Sequence, residues 1–541
     1  MRTLVIGLDG ATFTVLTPLM QAGYMPNLRQ AFSKGATGEL LSTIPPVTAL
    51  AWPSFMTGKN PGKHGLFGWQ GPLNANFERP WVSGRAINGS KLWRLVNNEG
   101  LRACVVNVPV TYPPEPLDGV MVTGMLTPGL KANFTYPTEL GEALLATVPD
   151  YQIDTDVQHT ERDAGNLDAT RHFLDEALVA TQARGRAIRW LLERERPDLA
   201  VAVFEMPDRL HHVLWRHVER LPASLDGVQG ADIIRQGLLA CYQALDNEIG
   251  QLMDRLPPKA HAVFLSDHGF GPLETLVHVN AWLAQQKWLV YDRRRTKGRE
   301  IVRRIGRRVK RWLPTFLMRQ ARHTFTVLRT LDWDQTLAYA GLPGEYGVFL
   351  NVRGREPAGV VEPDDYASLR TEIIKAMCEW CDPRTGQPIM KAVYRREELY
   401  QGPFTTHAPD VIFEFRRGYK VSHLPFQGEL FSDVSQEPSG FHEREGIFAM
   451  NGPGIKAGAN VDQANIQDVL PTLLYALGLP VPDDVDGRVL YDLFTPAWQA
   501  EHPIISQHIA EAETMSKATH PYSMKDKALI AEHLKRLGYL E

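Results

Sequence analysis

Short apolar, β-branched runs recur along the chain, each followed by a loop rich in Gly, Asp, His or Pro. They include "TLVIGLD", "ACVVNVP", "LAVAVFEMPD", "AVFLSDHG", "PDVIFEF" and "GIFAMNGPG". Continuous apolar runs of this length suit strands buried on both faces of a parallel sheet. Between them lie helical patterns such as "GLLACYQALDNEIGQLMDRL", with apolar residues at three- and four-residue steps. Strands alternating with helices predict an α/β fold with a mostly parallel central sheet flanked by helices. In such sheets ligands bind beyond the carboxyl ends of the strands. Asp9, Asp208, Asp267 and His268 all stand at such ends, the first sign of one shared site.

Composition narrows the function classes. A chain of 541 residues can bury a large core, and its net charge of -4 points neither to nucleic acid nor to a membrane surface. Four cysteines make no disulfide framework. Cys104 and Cys241 sit in apolar contexts and read as small core residues, while Cys378 and Cys381 form a lone CxxC without a second pair. The opening "MRTLVIGLDG" is too short for a signal-peptide core and lacks its cleavage pattern. No segment reaches the roughly 20 apolar residues that span a bilayer. The expected setting is cytoplasmic, with a small-molecule substrate and no nucleic acid duplex.

Three stretches organise the chain. Residues 1–280 form the first part of the main domain, 281–400 an inserted smaller α/β subdomain, and 401–541 the remainder of the main domain with a C-terminal helix. The insert contains "EYGVFLNVRGR" and "DDYASLRTEIIKAM". Between Arg293 and Arg322 it is dense in Lys and Arg, with Ile301, Ile305, Val309 and Leu313 at four-residue steps. That pattern is a basic amphipathic helix. It reads first as a solvated face packed on the core. The sharper reading is a lid that attracts a phosphorylated substrate or an anionic membrane surface.

Short polar clusters carry the chemistry. Asp9 ends "VIGLDG", "EMPDRLHH" holds Asp208, His211 and His212, "SDHG" holds Asp267 and His268, and "SGFHEREG" holds His442. Asp and His supply oxygen and nitrogen ligands suited to Zn²⁺ or Mn²⁺. Asp208 and His212 are four apart and share a face if their segment is helical. Asp267 and His268 are adjacent, so they reach one ion only from a loop. Taken singly each has a plain structural reading: a turn for Asp9, a helix cap for Asp208, a packed ring for His212. The set, gathered at strand ends of one sheet, argues for metal.

Thr48 of "PPVTALAWPSFMTGKNPGKHG" precedes an apolar turn. Alone it reads as an N-cap, since a Thr hydroxyl accepts from an orphan helix N–H. Beside metal ions it reads as a nucleophile, because coordination activates a hydroxyl. A helix N-terminus favours an anion at the same position.

These residues resemble the alkaline phosphatase superfamily, in its type I phosphodiesterase/nucleotide pyrophosphatase branch, and within it the prokaryotic phosphohydrolase or phosphomutase group. The motifs run in order: "VIGLDGAT", "PPVTALAWPSFMTGKNPGKHG", "VVNVPVTYPPEP", "VTGMLTPG", "PDRLHH", "SDHGFGP", "HVNAWL", "GVFLNVRGR", "FHEREGIF", "NGPGIKAG" and "DVLPTLLYALGLPVPDDVDGR". The resemblance implies an alkaline-phosphatase-like fold and two divalent ions, Zn²⁺ first and Mn²⁺ second. It implies one ion held by Asp208, His212 and His442, and another by Asp9, Thr48, Asp267 and His268. His442 enters through the resemblance alone, and His212 is preferred over His211 by the family spacing. A covalent phospho-Thr48 intermediate is implied as well.

Two departures matter. Where the nucleotide pyrophosphatases carry Asn three residues after the nucleophile, this chain has Ala51. That weakens a claim for nucleotides and leaves Lys59 and Lys63 as phosphate contacts by charge alone, with a structural role the better reading. The C/S-x-P-x-R motif of sulfatases is missing, which argues against sulfate esters. The expected activity is metal-dependent hydrolysis of phosphate esters, diesters favoured, falling with acid as metal-binding histidines protonate. A phosphomutase or phosphotransferase with the same ligands is the alternative, and a metal-binding scaffold without turnover the third reading.

Overall fold

The computed structural model describes residues 1–155, 163, 165–292, 327–341, 345–422, 429–434, 439–508 and 521–536. The basic stretch 293–322 lies outside the described residues. Strands in the first half are β1 (Thr3–Leu8), β2 (Ala36–Leu41), β3 (Ala103–Val106), β4 (Gly119–Val122), β5 (Thr135–Tyr136), β6 (Leu199–Phe204), β7 (His261–Leu265) and β8 (Gly269–His278). The second half adds β9 (Ala338–Ala340), β10 (Gly347–Leu350), β11 (Met390–Arg395), β12 (Val411–Phe415), β13 (Gly418–Ser422), β14 (Phe431–Asp433), β15 (Gly440–Glu443), β16 (Glu445–Asn451) and β17 (Asn460–Asn465).

Alternation along the central strands builds three layers. β1 sends Leu4, Ile6 and Leu8 into one apolar cluster and Val5 into another. β6 does the same, with Ala200, Ala202 and Phe204 on one side and Leu199, Val201 and Val203 on the other. Successive strand side chains point to opposite faces, so both faces need cover. The helices Phe13–Gln21, Leu167–Glu195 and Ala231–Met253 cover the first face. The helices Thr48–Thr57 and Val469–Ala476 cover the second.

The sheet has nine strands in the order β17-β2-β16-β7-β1-β6-β3-β4-β5. β7, β1, β6, β3 and β4 are parallel neighbours, while β16 and β5 run against them. The fold is α/β with a mostly parallel central sheet flanked by helices, as the run pattern predicts. Two of the runs fall elsewhere than expected. "GIFAMNGPG" supplies β16, which is antiparallel to both neighbours. "PDVIFEF" supplies β12, which belongs to a separate four-stranded sheet, β11-β12-β10-β9. An apolar run reports burial on two faces, which is compatible with either direction and with either sheet.

That smaller sheet is antiparallel throughout and has its own core, with Val348, Ile373, Met377, Trp380, Val411 and Phe413 buried together. Ile373 and Met377 come from the helix Tyr366–Cys378, four residues apart on one face. β12 lies past residue 400, so this sheet closes with chain from the third stretch. A third sheet forms on β8, which pairs with β13, β14 and β15.

Cys104 and Cys241 are buried, Cys378 and Cys381 are exposed, and all four are free thiols. The C-terminal helix Met524–Arg536 packs on the body, with Ile530 and Leu534 in the second core. Among the described residues, no helix is long and apolar enough to cross a membrane.

Candidate active site

The carboxyl ends of β1, β6 and β7 converge on one point. Asp9 follows β1 directly, and Gly10 turns the chain there with φ +65. A Cβ at Gly10 would lie 2.9 Å from the Phe270 ring and 3.1 Å from the Asp208 Cα. Glycine therefore allows both the positive φ and the close approach. Its N–H donates to Asp267 Oδ1 at 3.3 Å. A Cβ at Gly7 would lie 2.5 Å from the Trp52 ring, so glycine also admits that indole against β1. Trp52 Nε1 then donates to Asp9 Oδ2 at 3.2 Å.

Asp208 and His212 lie on the helix Met206–Val218, which starts just past β6. Asp208 Oδ1 is 3.4 Å from His212 Nε2, 3.5 Å from His442 Nε2 and 3.9 Å from His268 Nε2. His268 Nε2 is 3.4 Å from Asp267 Oδ2 and 3.8 Å from Asp9 Oδ1. His442 arrives on β15, whose antiparallel ladder sets it opposite Phe270 of β8. Its ring stacks on His268 with centroids 3.6 Å apart.

Two groups result among the described residues: Asp208, His212 and His442, and Asp9, Asp267 and His268. Within each, the ligand atoms lie within 4.8 Å of one another and every residue is buried.

Thr48 is the first residue of the helix Thr48–Thr57, and the cap is Val47, which makes no side-chain cap bond. The N-cap expectation for Thr48 is therefore off by one residue. The Thr48 Oγ1 lies 3.2 Å from His268 Nε2. The hydroxyl sits at the positive end of the helix dipole, equivalent to roughly half a charge.

His211 is directed elsewhere. Its Nδ1 meets the Gly10 carbonyl at 3.0 Å and its Nε2 meets the Tyr242 hydroxyl at 2.6 Å. With both nitrogens engaged, it buttresses the turn after β1. Lys59 pairs with Asp484, and Lys63 reaches Asp486 at 2.6 Å and the Asp484 carbonyl at 2.9 Å. Both lysines hold the loop after the Thr48 helix to a distant acidic segment. Ala51 is buried and brings no donor.

Ring tautomers follow from the acceptors. The Gly269 carbonyl, 3.1 Å from His268 Nδ1, can only accept, so Nδ1 carries the proton and Nε2 its lone pair. The Pro46 carbonyl, 2.9 Å from His442 Nδ1, fixes that ring the same way. Burial pushes His268 and His442 down to about 4 each, so both are neutral near pH 7. Burial lowers His212 too, opposed by Asp208 and reinforced by the charge of Lys420.

The carboxylates divide. Burial, then Asp267 and Asp208, raise Asp9 well above the usual carboxylate range. Burial raises Asp267, with His268 pulling the other way and Asp208 adding to the rise. Burial works against the charge of Asp208 too, but His212 and Arg209 outweigh it and hold this carboxyl well below its usual range. Asp9 Oδ1 and Asp267 Oδ2 are buried, and among the described residues no N–H group donates to either, although a hydrogen bond from Asp9 pulls Asp267 part of the way back down. Unpartnered buried carboxylate oxygens are costly unless a cation meets them. Neutral imidazoles with inward lone pairs beside repelling carboxylates are a donor set that fits divalent metal.

Sequence reasoning passed over three contributors. Trp52 orients Asp9, Arg209 donates to Asp208 Oδ2, and Lys420 stands 4.4 Å above the Phe441 ring that stacks on His442. Trp52 and Lys420 act across elements, and Arg209, although next to Asp208 in sequence, is oriented by Asp154 from outside its helix, so no local spacing points to them.

A mostly parallel sheet with acids and imidazoles gathered at its strand ends around a buried threonine is the arrangement that the resemblance to the alkaline phosphatase superfamily implies. The chain belongs to the type I phosphodiesterase / nucleotide pyrophosphatase family, whose model matches residues 3–425, and that family's name places it among hydrolases of phosphoester bonds. His442 lies beyond the matched residues. Phosphonoacetate hydrolase from Sinorhizobium meliloti 1021, solved with phosphonoformate, shares the fold with TM-score 0.52 and 15% identity, over 88% of this chain and 95% of that one. Human ectonucleotide pyrophosphatase / phosphodiesterase 5 overlays with TM-score 0.48 at 13% identity, over 92% of this chain and 100% of that one. Arylsulfatase K of Homo sapiens is 27% identical over 137 residues, 25% of this chain. The chain spans 22% of the length of that curated relative.

Proposed function

We propose that this protein is a metal-dependent phosphohydrolase that cleaves phosphate esters, diesters first, through a phospho-Thr48 intermediate. The observation that carries the reading is the Thr48 hydroxyl 3.2 Å from His268 Nε2, at a helix N-terminus beside both acid–imidazole groups. Asp208, His212 and His442 would hold one divalent ion; Asp9, Asp267, His268 and Thr48 itself would hold the other. Zn²⁺ suits these ligands first and Mn²⁺ second. When bound, the ions supply positive charge that favours ionised oxygens and neutralises charge developing on the phosphoryl group.

The chain's own residues do the rest. Thr48 Oγ gives up its proton to solvent and attacks phosphorus, forming the Thr48–phosphate bond as the ester oxygen departs with its electron pair and takes up a proton from water. Water then displaces Thr48 from phosphorus, releasing phosphate or a phosphomonoester and restoring the hydroxyl. The buried site fixes the hydroxyl before reaction, so little reorganisation is needed. The carbonyls of Gly269 and Pro46 hold His268 and His442 in one tautomer. Selection of the leaving group falls to the segment between about Ala281 and Gln401, read as an inserted subdomain. Four free thiols support a cytoplasmic setting.

The test is hydrolysis of paired p-nitrophenyl esters, one phosphate diester and one monoester, after metal reconstitution, with Thr48→Ala alongside. Diester turnover lost in the variant supports the proposal. Equal turnover in both proteins removes Thr48 from the chemistry. Transfer of phosphate to added alcohol acceptors in preference to water converts the reading to a phosphotransferase.

A further inference from the structure

Arg209 follows Asp208 in sequence, yet its side chain turns inward and is 3% exposed. Its Nε and Nη2 donate to Asp154 Oδ1 and Oδ2 at 2.9 and 2.6 Å. Its Nη1 donates to Asp208 Oδ2. The guanidinium fork is therefore set by one carboxylate and applied to another. Asp154 is buried as well, and its Oδ2 accepts from His533 Nε2 at 3.2 Å. His533 stands on the C-terminal helix Met524–Arg536, anchored by Ile530 and Leu534. Tyr522, just ahead of that helix, is buried and donates to the Val82 carbonyl at 3.2 Å.

The consequence falls on Asp208. Oδ2 is engaged by Arg209, and Oδ1 lies 3.4 Å from His212 Nε2 and 3.5 Å from His442 Nε2. We infer that the C-terminal helix is a positioning element of the Asp208–His212–His442 group, holding Asp208 as a one-oxygen ligand through His533, Asp154 and Arg209. This rests on the two-metal reading above. Outer partners of metal ligands set ligand orientation, and their loss costs about 10–100-fold in metal affinity. The Asp9–Asp267–His268 group meets this chain of contacts only at Asp208, 3.9 Å from His268, so the effect falls mainly on one ion.

The experiment is calorimetric titration of Zn²⁺ into the full-length apoprotein, comparing wild type with Arg209→Lys, His533→Ala and His533→Gln. Wild type binds two ions. Arg209→Lys weakens one of them about 10–100-fold and changes the other far less. His533→Ala weakens the same ion by a smaller factor, and His533→Gln restores it, because the amide still donates to Asp154. Should Arg209→Lys fail to fold, the His533 pair carries the test alone. Two ions in wild type with unaltered affinities in the variants, whatever their melting temperatures, overturn the inference and leave the site reading standing. Failure of wild type to bind two ions overturns both.

Discussion

His442 Nε2 lies 3.0 Å from His212 Nε2, although 230 residues separate the two in sequence. His442 Nδ1 faces the Pro46 carbonyl, so its Nε2 presents a lone pair to the other ring. Two facing nitrogens at that distance need a proton or a cation between them.

His442→Ala is therefore expected to lose one ion per chain and keep the other. Elemental analysis of the purified, metal-reconstituted variant checks this. Unchanged metal content in the variant would remove His442 from the ligand set.

Thr48 makes a separate prediction. Acid quenching during turnover should leave one phosphoryl group on the peptide containing residues 45–69, bare with a monoester substrate and still carrying its retained ester group with a diester. Thr48→Ser should still form the adduct, more slowly, and Thr48→Val should form none. Mass spectrometry of the quenched digest reads all three, and an adduct on any other residue contradicts the assignment.

Repulsion between Asp9 and Asp267 predicts a reversal of sign. Both carboxyls are raised by burial and by neighbouring negative charge. Asp267→Asn removes one charge and keeps the Oδ1 that accepts from Gly10. The metal-free variant should be more stable than metal-free wild type, on the order of 1 kcal/mol. With Zn²⁺ in excess, wild type should be the more stable of the two, because binding to the native state alone adds stability. Urea unfolding with and without metal distinguishes the four states.

His64 sets part of the acid sensitivity. It is fully buried, its Nδ1 accepts from the Leu66 N–H at 3.3 Å, and its Nε2 donates to Ser54 Oγ at 3.1 Å. Burial pushes it down to about 3, against an ordinary value of 6.5. The unfolded chain thus binds a proton below pH 6.5 that the native chain refuses down to about pH 3. The stability this group contributes is complete above pH 6.5 and declines as pH falls through that window, by about 1.4 kcal/mol per unit. His64→Gln should be less stable at pH 7, with a gap from wild type that narrows on acidification. Parallel urea curves at pH 7 and 5.5 measure it; a constant gap rules out the buried neutral ring as the cause.

Much of the architecture was legible because it is local. The apolar runs at Thr3–Leu8, Leu199–Phe204 and His261–Leu265 announced strands with two buried faces, and those strands form the centre of the sheet. The spacing of Asp208 and His212 needed only a helix to bring them together, and the helix is there. Partnership between elements was not legible in this way. "PDVIFEF" and "GIFAMNGPG" carry the same apolar signature as the central strands, yet one lies in the smaller antiparallel sheet and the other runs against its neighbours.

By itself, then, the sequence determined which segments are strands and helices, and which short clusters carry acid and imidazole. Periodicity and adjacent side chains act within a few residues, so they can be read along the chain. Only the tertiary structure decided that β15 lies on β8 with His442 over His268, and that Val47, not Thr48, caps the helix. It alone turned His211 to Tyr242, Lys63 to Asp486 and Arg209 to Asp154. Those choices come from packing buried faces together and finding a partner for each polar group that packing takes from water, and such partners can lie anywhere in the chain.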